Sequence, residues 1–167
     1  MKINPCSIYR YAYRLLETVT PCKTDCGKRC GAACCMDSDA GSGMYLYPGE
    51  ARMLFPVPNW ANIEPSGFFY DGRETDFFSC RGKCERQLRP LACRIFPLVP
   101  YKKEGGRMKI VYDPRALSMC PLRPDDLEPD FIMAVTRAMR AVVKTKEGRA
   151  FIEAKSRLID EYVQLHL

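Results

Sequence analysis

The chain has 167 residues, with ten cysteines, one histidine and a formal charge of +6. That length fits one domain with a core of its own. Ten cysteines, about 6% of the chain, fall below the density of a small disulfide scaffold. The single histidine excludes the usual His-rich zinc enzyme site, a Ser-His-Asp triad and a Cys-His pair.

The start of the chain, Met1-Lys2-Ile3-Asn4-Pro5-Cys6, has no apolar run of the secretory kind, and no stretch approaches a membrane span. A cytoplasmic location and no membrane partner are therefore expected. In that reducing compartment many cysteines point to metal or redox chemistry rather than disulfides.

Helical spacing of Ile8, Ala12, Leu15, Leu16 and Val19 predicts a first helix over 7–19, capped by Ser7 and stopped by Pro21. The cysteine run Cys22 to Cys35 follows. The stretch 36–79, rich in Pro, Gly and aromatics, reads as a long irregular region with a short helix starting at Pro48. Its aromatics are expected to pack over the cysteine site. A short strand over 108–112, paired with 96–101 through Gly105-Gly106, makes a small β-hairpin. Two helices close the chain, with apolar faces Phe131, Ile132, Val135, Met139, Val142, Val143 and Phe151, Ala154, Leu158, Ile159, Tyr162, Leu165. Thr145 is positioned to cap the second. The expected fold is a mainly α, small single α+β domain (1–167). Irregular, metal-stabilised loops form its core (22–121), and a C-terminal helical hairpin (125–167) packs on that core.

Cys22, Cys26, Cys30 and Cys34 fall every fourth residue, with Cys35 next. On a regular helix, cysteines eight apart would stand about 12 Å apart. That is too far to share an ion whose bonds to sulfur are about 2.3 Å. The run must bind ions pairwise or unwind, and Gly27 and Gly31 favour unwinding. Side chains of adjacent residues diverge. Cys34 and Cys35 can then both serve only by reaching different ions or opposite corners of a cluster, or through a tight local turn, and the pair reads as a sign of two metals or a polynuclear centre. A second group is Cys80, Cys84 and Cys93, and Cys120 follows. Cys6 stands apart and reads as a small buried hydrophobe. The carboxylates Asp37, Asp39, Glu50, Asp71 and Asp76 read as solvated or capping groups. Lys23, Lys28, Arg29, Arg81, Lys83, Arg86, Arg89 and Arg94 interleave with the cysteines, where cations would offset thiolate charge.

The string Cys26-x3-Cys30-Gly31-x2-Cys34-Cys35, then Leu46-Tyr47-Pro48-Gly49-Glu50, then Cys84…Arg89-Pro90-Leu91-Ala92-Cys93-Arg94-Ile95-Phe96-Pro97, resembles the CxxCxxCC cysteine-cluster family. These YkgJ-like proteins are described as zinc- or iron-chelating. The resemblance spans about 22–121. It departs from the family in having three residues between successive cysteines where the family has two, which leaves Cys22 as an alternative to Cys26.

The resemblance implies Cys26, Cys30, Cys34, Cys35, Cys80, Cys84 and Cys93 as metal ligands. Cys120 is added because it adjoins a proline-rich turn and supplies an eighth thiolate. The family pattern also implies Arg89 and Arg94 as supports around the ligands, with Phe96-Pro97 closing an apolar wall. The expected function is a metal-binding protein holding zinc, up to two ions, in a structural or metal-handling role. The alternative is iron, as a [4Fe-4S] cluster, with a redox or methyltransferase-associated role. Cu(I) handling ranks third, and nucleic acid is not expected as a partner.

Overall fold

A computed structural model describes residues 5–24, 26–35, 43–80 and 85–166. The first helix, α1, runs Pro5–Leu15, shorter at its C-terminal end than the spacing predicts. It buries Ile8, Tyr9, Ala12 and, just past its end, Leu16. Ile8 and Tyr9 stand four and three residues before Ala12, and Leu16 four after it, the spacing that lets a helix dock on a core.

The largest difference from the sequence reading lies in 43–80. This region is a three-stranded antiparallel sheet, not an irregular loop. Its strands are β1 (Gly43–Tyr45), β2 (Ala61–Tyr70) and β3 (Arg73–Cys80), in the order β1-β3-β2. Asp71-Gly72, with φ of 47° and 71°, closes the β2–β3 hairpin. A two-residue Asp-Gly loop with both φ positive is the connection whose twist matches the strands. Pro65 and Gly67 obscured the strand pattern because the pairing slips between Pro65 and Phe69, where a bulge accommodates them. The short helix expected at Pro48 is a 3₁₀ turn at Glu50–Met53.

The aromatics of this region meet the expectation only in part. Tyr47, Phe68 and Tyr70 pack their rings around Phe151 at centroid distances of 5.0, 5.9 and 5.5 Å. Trp60 packs on Phe78, while Phe55 and Phe69 face solvent. Tyr47, Phe68 and Tyr70 thus knit the sheet to the C-terminal helices, while Phe78, with Trp60, packs beside Cys80.

The second hairpin agrees with the prediction: β4 (Leu98–Tyr101) pairs with β5 (Lys109–Tyr112). Between the two hairpins lies a five-residue helix, α3 (Leu91–Ile95). The closing pair, α4 (Pro129–Val142) and α5 (Lys146–His166), forms the helical hairpin expected. Thr145 Oγ1 accepts from Gly148 N at 2.9 Å, the predicted cap. α4 packs on α1, and α5 packs on β2 and β4. One core joins α1, α3, α4, α5 and β4, and a smaller cluster of Leu46, Leu54 and Phe78 sits beneath the three-stranded sheet. Among the described residues no helix is long and apolar enough to cross a membrane.

α5 buries one cation. The Lys155 ammonium, on a side chain 4% exposed, lies 5.8 Å from the centre of the Tyr47 ring. Burial, with a smaller contribution from the nearby Arg115, pulls its pKa down to about 8. Between about pH 8 and the ordinary lysine range the unfolded chain holds a proton that the folded chain does not, so folding stability rises with pH across that window. Below it, the buried charge costs on the order of 3 kcal/mol. Lys155→Met is expected to raise stability at pH 7 by up to that amount, with the gain shrinking near pH 10. Denaturant unfolding at the two pH values measures both effects.

Candidate metal centre

The cysteine run folds as one helical turn that then reverses. α2 spans Cys26–Cys30, with Cys30 Sγ 3.5 Å from the Cys26 carbonyl. Gly31 and Ala32 then adopt φ of 61° and 59°. A left-handed residue is cheap for glycine and costs more for alanine. The bond from Cys35 N to Ala32 O (2.7 Å) fixes the reversed segment, and a 3₁₀ turn, Ala33–Cys35, follows. The unwinding predicted from Gly31 therefore occurs; Gly27 stays helical. The reversal brings Cys34 Sγ and Cys35 Sγ to 3.9 Å of each other. Of the arrangements open to this adjacent pair, the chain adopts the tight local turn. The Cys35 thiol holds the Cys34 thiol below its ordinary pKa, against the opposing effect of burial.

Three other segments face this turn. Cys80 is the last residue of β3, held by the Ala61↔Cys80 and Gly43↔Ser79 pairings. Cys93 lies within α3. Cys120 follows the 3₁₀ turn Pro114–Ser118 and donates its N–H to Ala116 O at 2.8 Å. Beside it, burial and the Cys120 thiol push the Tyr112 hydroxyl up to about 12.

Two adjoining cavities result. The larger, about 60 Å³, is lined by Cys26, Cys30, Cys34, Cys35, Cys93 and Cys120, with Phe96-Pro97 in its wall as expected. The smaller, about 20 Å³, is lined by Cys34, Cys35, Cys80 and Cys93 against Phe78 and Pro90. Seven of the eight candidate cysteines thus converge, and three of them face both cavities. Cys84 lies outside the described residues, as do Arg81, Lys83, Asp37 and Asp39. Cys22 is not part of the lining. It is buried in the core and donates its thiol to Thr24 O at 3.1 Å, so Cys26, not Cys22, faces the cavity. Cys6, on α1, lines neither cavity.

The donor set fits a thiophilic metal in type and number: soft sulfur, no histidine, and room for water-sized groups. All the described cysteines are free of disulfides. Among the described residues, no three His, Cys, Asp or Glu side chains stand at metal-gripping distance as placed. The thiols converge on shared space, and binding an ion would require them to draw inward.

Arginines surround the cavities. Arg86, Arg89 and Arg94 line the larger one. Arg94 donates to the carbonyls of Arg89 (2.8 Å) and Gln87 (2.7 Å) and lies 4.3 Å over the Tyr13 ring. Arg86 donates to Val19 O (2.5 Å), Glu17 O (3.1 Å) and Leu16 O (3.4 Å), closing the C-terminal end of α1. These acceptors are neutral carbonyls, so they leave the guanidinium charge available to offset thiolates. Lys28 and Arg29 instead point to solvent.

Glu50 was expected as a solvated or capping group. It is wholly buried and caps a distant helix. Its carboxylate accepts from Tyr13 Oη (2.6 Å), Tyr47 N (2.9 Å) and Leu91 N (2.5 Å). Leu91 is the first residue of α3, which carries Cys93. Burial raises the Glu50 pKa, and these three donors oppose the rise. Asp71 sits in the hairpin turn, 3.5 Å from Lys146. Sequence reasoning missed Tyr13 as a partner of the site and Met44 and Met119 as part of its wall. Neither methionine belongs to a local pattern that marks it.

No family model, curated protein or solved structure matches the chain.

Proposed function

We propose that this chain is a cytoplasmic metal-binding protein that holds zinc, as two ions, through clustered cysteine thiolates, in a structural or metal-handling role. The observation that carries the reading is the convergence of Cys26, Cys30, Cys34, Cys35, Cys80, Cys93 and Cys120, from separate segments of the chain, on two adjoining cavities. The resemblance to the CxxCxxCC cysteine-cluster family supports it. So does the surrounding arginine charge, since four thiolates on one Zn²⁺ leave a charge of −2. The two-ion reading follows from the pair of cavities, with Cys34, Cys35 and Cys93 between them. The volumes favour single ions: about 20 Å³ admits roughly one water-sized group. A bound ion would tie α2, β3, α3 and the Cys120 turn together, and that binding energy is folding energy.

An iron–sulfur protein with a redox or methyltransferase-associated role is the second reading. It is favoured by the larger cavity, where six thiols exceed the four such a cluster requires. A strong chelator separates a metal-dependent fold from a metal-free one. Chelation is expected to unfold 22–121, seen as loss of near-UV circular dichroism and a lower Tm. A metal-free protein with an unchanged spectrum and melting point would contradict the proposal.

A further inference from the structure

Away from the cysteines, α1 and α4 pack side by side and enclose a groove of about 400 Å³. Its floor is Ile8, buried, and Ala141, with Ser7 the one uncharged polar residue besides Tyr11 in the lining. Its edges are Tyr11, 41% exposed, and three cations: Arg137 and Arg140 on α4, and Lys144 in the turn that follows it. The basic face extends onto α1 through the exposed Arg10 and Arg14. α1 contains no acidic residue, and α4 contains only Asp130, in its first turn. Among the described residues none of these five cations has an ion-pair partner; the four ion pairs found involve other residues. Unpaired like charges crowded on one face repel each other, a cost that an anionic partner removes.

The geometry points to an acidic helical segment of a partner protein as the occupant of this groove. Arg137 and Arg140, one turn apart, stand about 4.5 Å apart along the α4 axis, and Lys144 lies just past the end of α4. Carboxylates at i, i+3 or i+4, and i+7 of a second helix laid along the groove present negative charge to all three. An apolar side chain on that helix fills the space over Ile8 and Ala141, beside Tyr11. This is the helix-in-groove mode, with charge setting the register and an apolar anchor adding contact area. A nucleic-acid strand fits less well. It offers no apolar anchor for the floor, and strand-binding grooves use successive aromatic platforms where this one has Tyr11 alone. The groove is independent of the metal centre, and the inference stands whether or not the thiols hold an ion.

The test uses the full chain and three labelled probes in fluorescence anisotropy. The first is a helix-forming peptide of roughly 16 residues, about 24 Å long, with glutamates at the stated spacing and a central leucine. The second is the same peptide with lysines for glutamates, and the third a single-stranded oligonucleotide of similar length. The acidic peptide is expected to bind more tightly than its lysine counterpart and than the oligonucleotide. Its affinity should fall by about tenfold or more between low and high salt. The variant Arg137→Glu/Arg140→Glu/Lys144→Glu, all at exposed positions, should lower that affinity at least tenfold while keeping the wild-type circular dichroism and Tm. The single variant Arg140→Glu should show a smaller loss in the same direction. Equal binding of the acidic and basic peptides, unchanged binding by a folded triple variant, or tighter binding of the oligonucleotide would each overturn the inference.

Discussion

Cys93→Ser is expected to strip metal from the protein more completely than loss of Cys26, Cys30, Cys80 or Cys120, because Cys93 faces both cavities and they face one. Serine keeps the size of the side chain but loses the soft thiolate donor. Removing a group that merely supports a metal ligand costs roughly 10–100-fold in affinity. Removing a shared ligand should exceed that range. Cys22→Ser is the matching control. Its sulfur lies in the core with Thr24 O as acceptor, so it should retain metal at the wild-type level. Competition with a colorimetric chelator, on protein purified without oxygen, ranks the variants. A Cys93→Ser protein that holds metal as tightly as wild type would remove Cys93 from the proposed ligand set.

Glu50→Ala is expected to destabilise the fold by roughly 4 kcal/mol, or about 10 °C in Tm for a chain of this size. The carboxylate satisfies two buried backbone N–H groups and the Tyr13 hydroxyl, and alanine leaves all three without an acceptor. Glu50→Gln should cost less, about 1–2 kcal/mol. It keeps an oxygen for Tyr13 and Leu91 but turns an NH₂ toward the Tyr47 N–H, which then has no acceptor. The order Ala, then Gln, then wild type in denaturant midpoint is the signature of a capping carboxylate. Equal midpoints for all three would show that Glu50 bears no such role. Because Leu91 opens the helix that carries Cys93, loss of Glu50 should weaken metal retention as well.

The sequence made the helical parts of this fold legible. α1, α4 and α5 each carry an apolar stripe at helical spacing, and Thr145 caps α5 as its position suggests. The β4–β5 hairpin was legible from the paired apolar runs about Gly105-Gly106. The three-stranded sheet was not, since Pro65 and Gly67 interrupt the alternation that marks a strand. Asp71-Gly72 did carry a hairpin signal, one that outweighs the proline once the bulge is allowed. In the cysteine region, Gly31 announced the reversal, while Ala32, which shares the left-handed conformation, gave no sign of it. Glu50 was the hardest to read. Its partners are 37, 3 and 41 residues away, and only the folded chain brings Tyr13 and Leu91 to it.

The convergence of seven thiols on shared space is the central observation, and the metal content of the purified protein tests its interpretation most directly. Elemental analysis of the full chain purified without oxygen, with a visible spectrum of the same sample, is predicted to give two zinc per chain and no absorbance in the visible. A chain without bound metal would contradict the metal-binding account, and a brown protein containing iron and sulfide would contradict zinc.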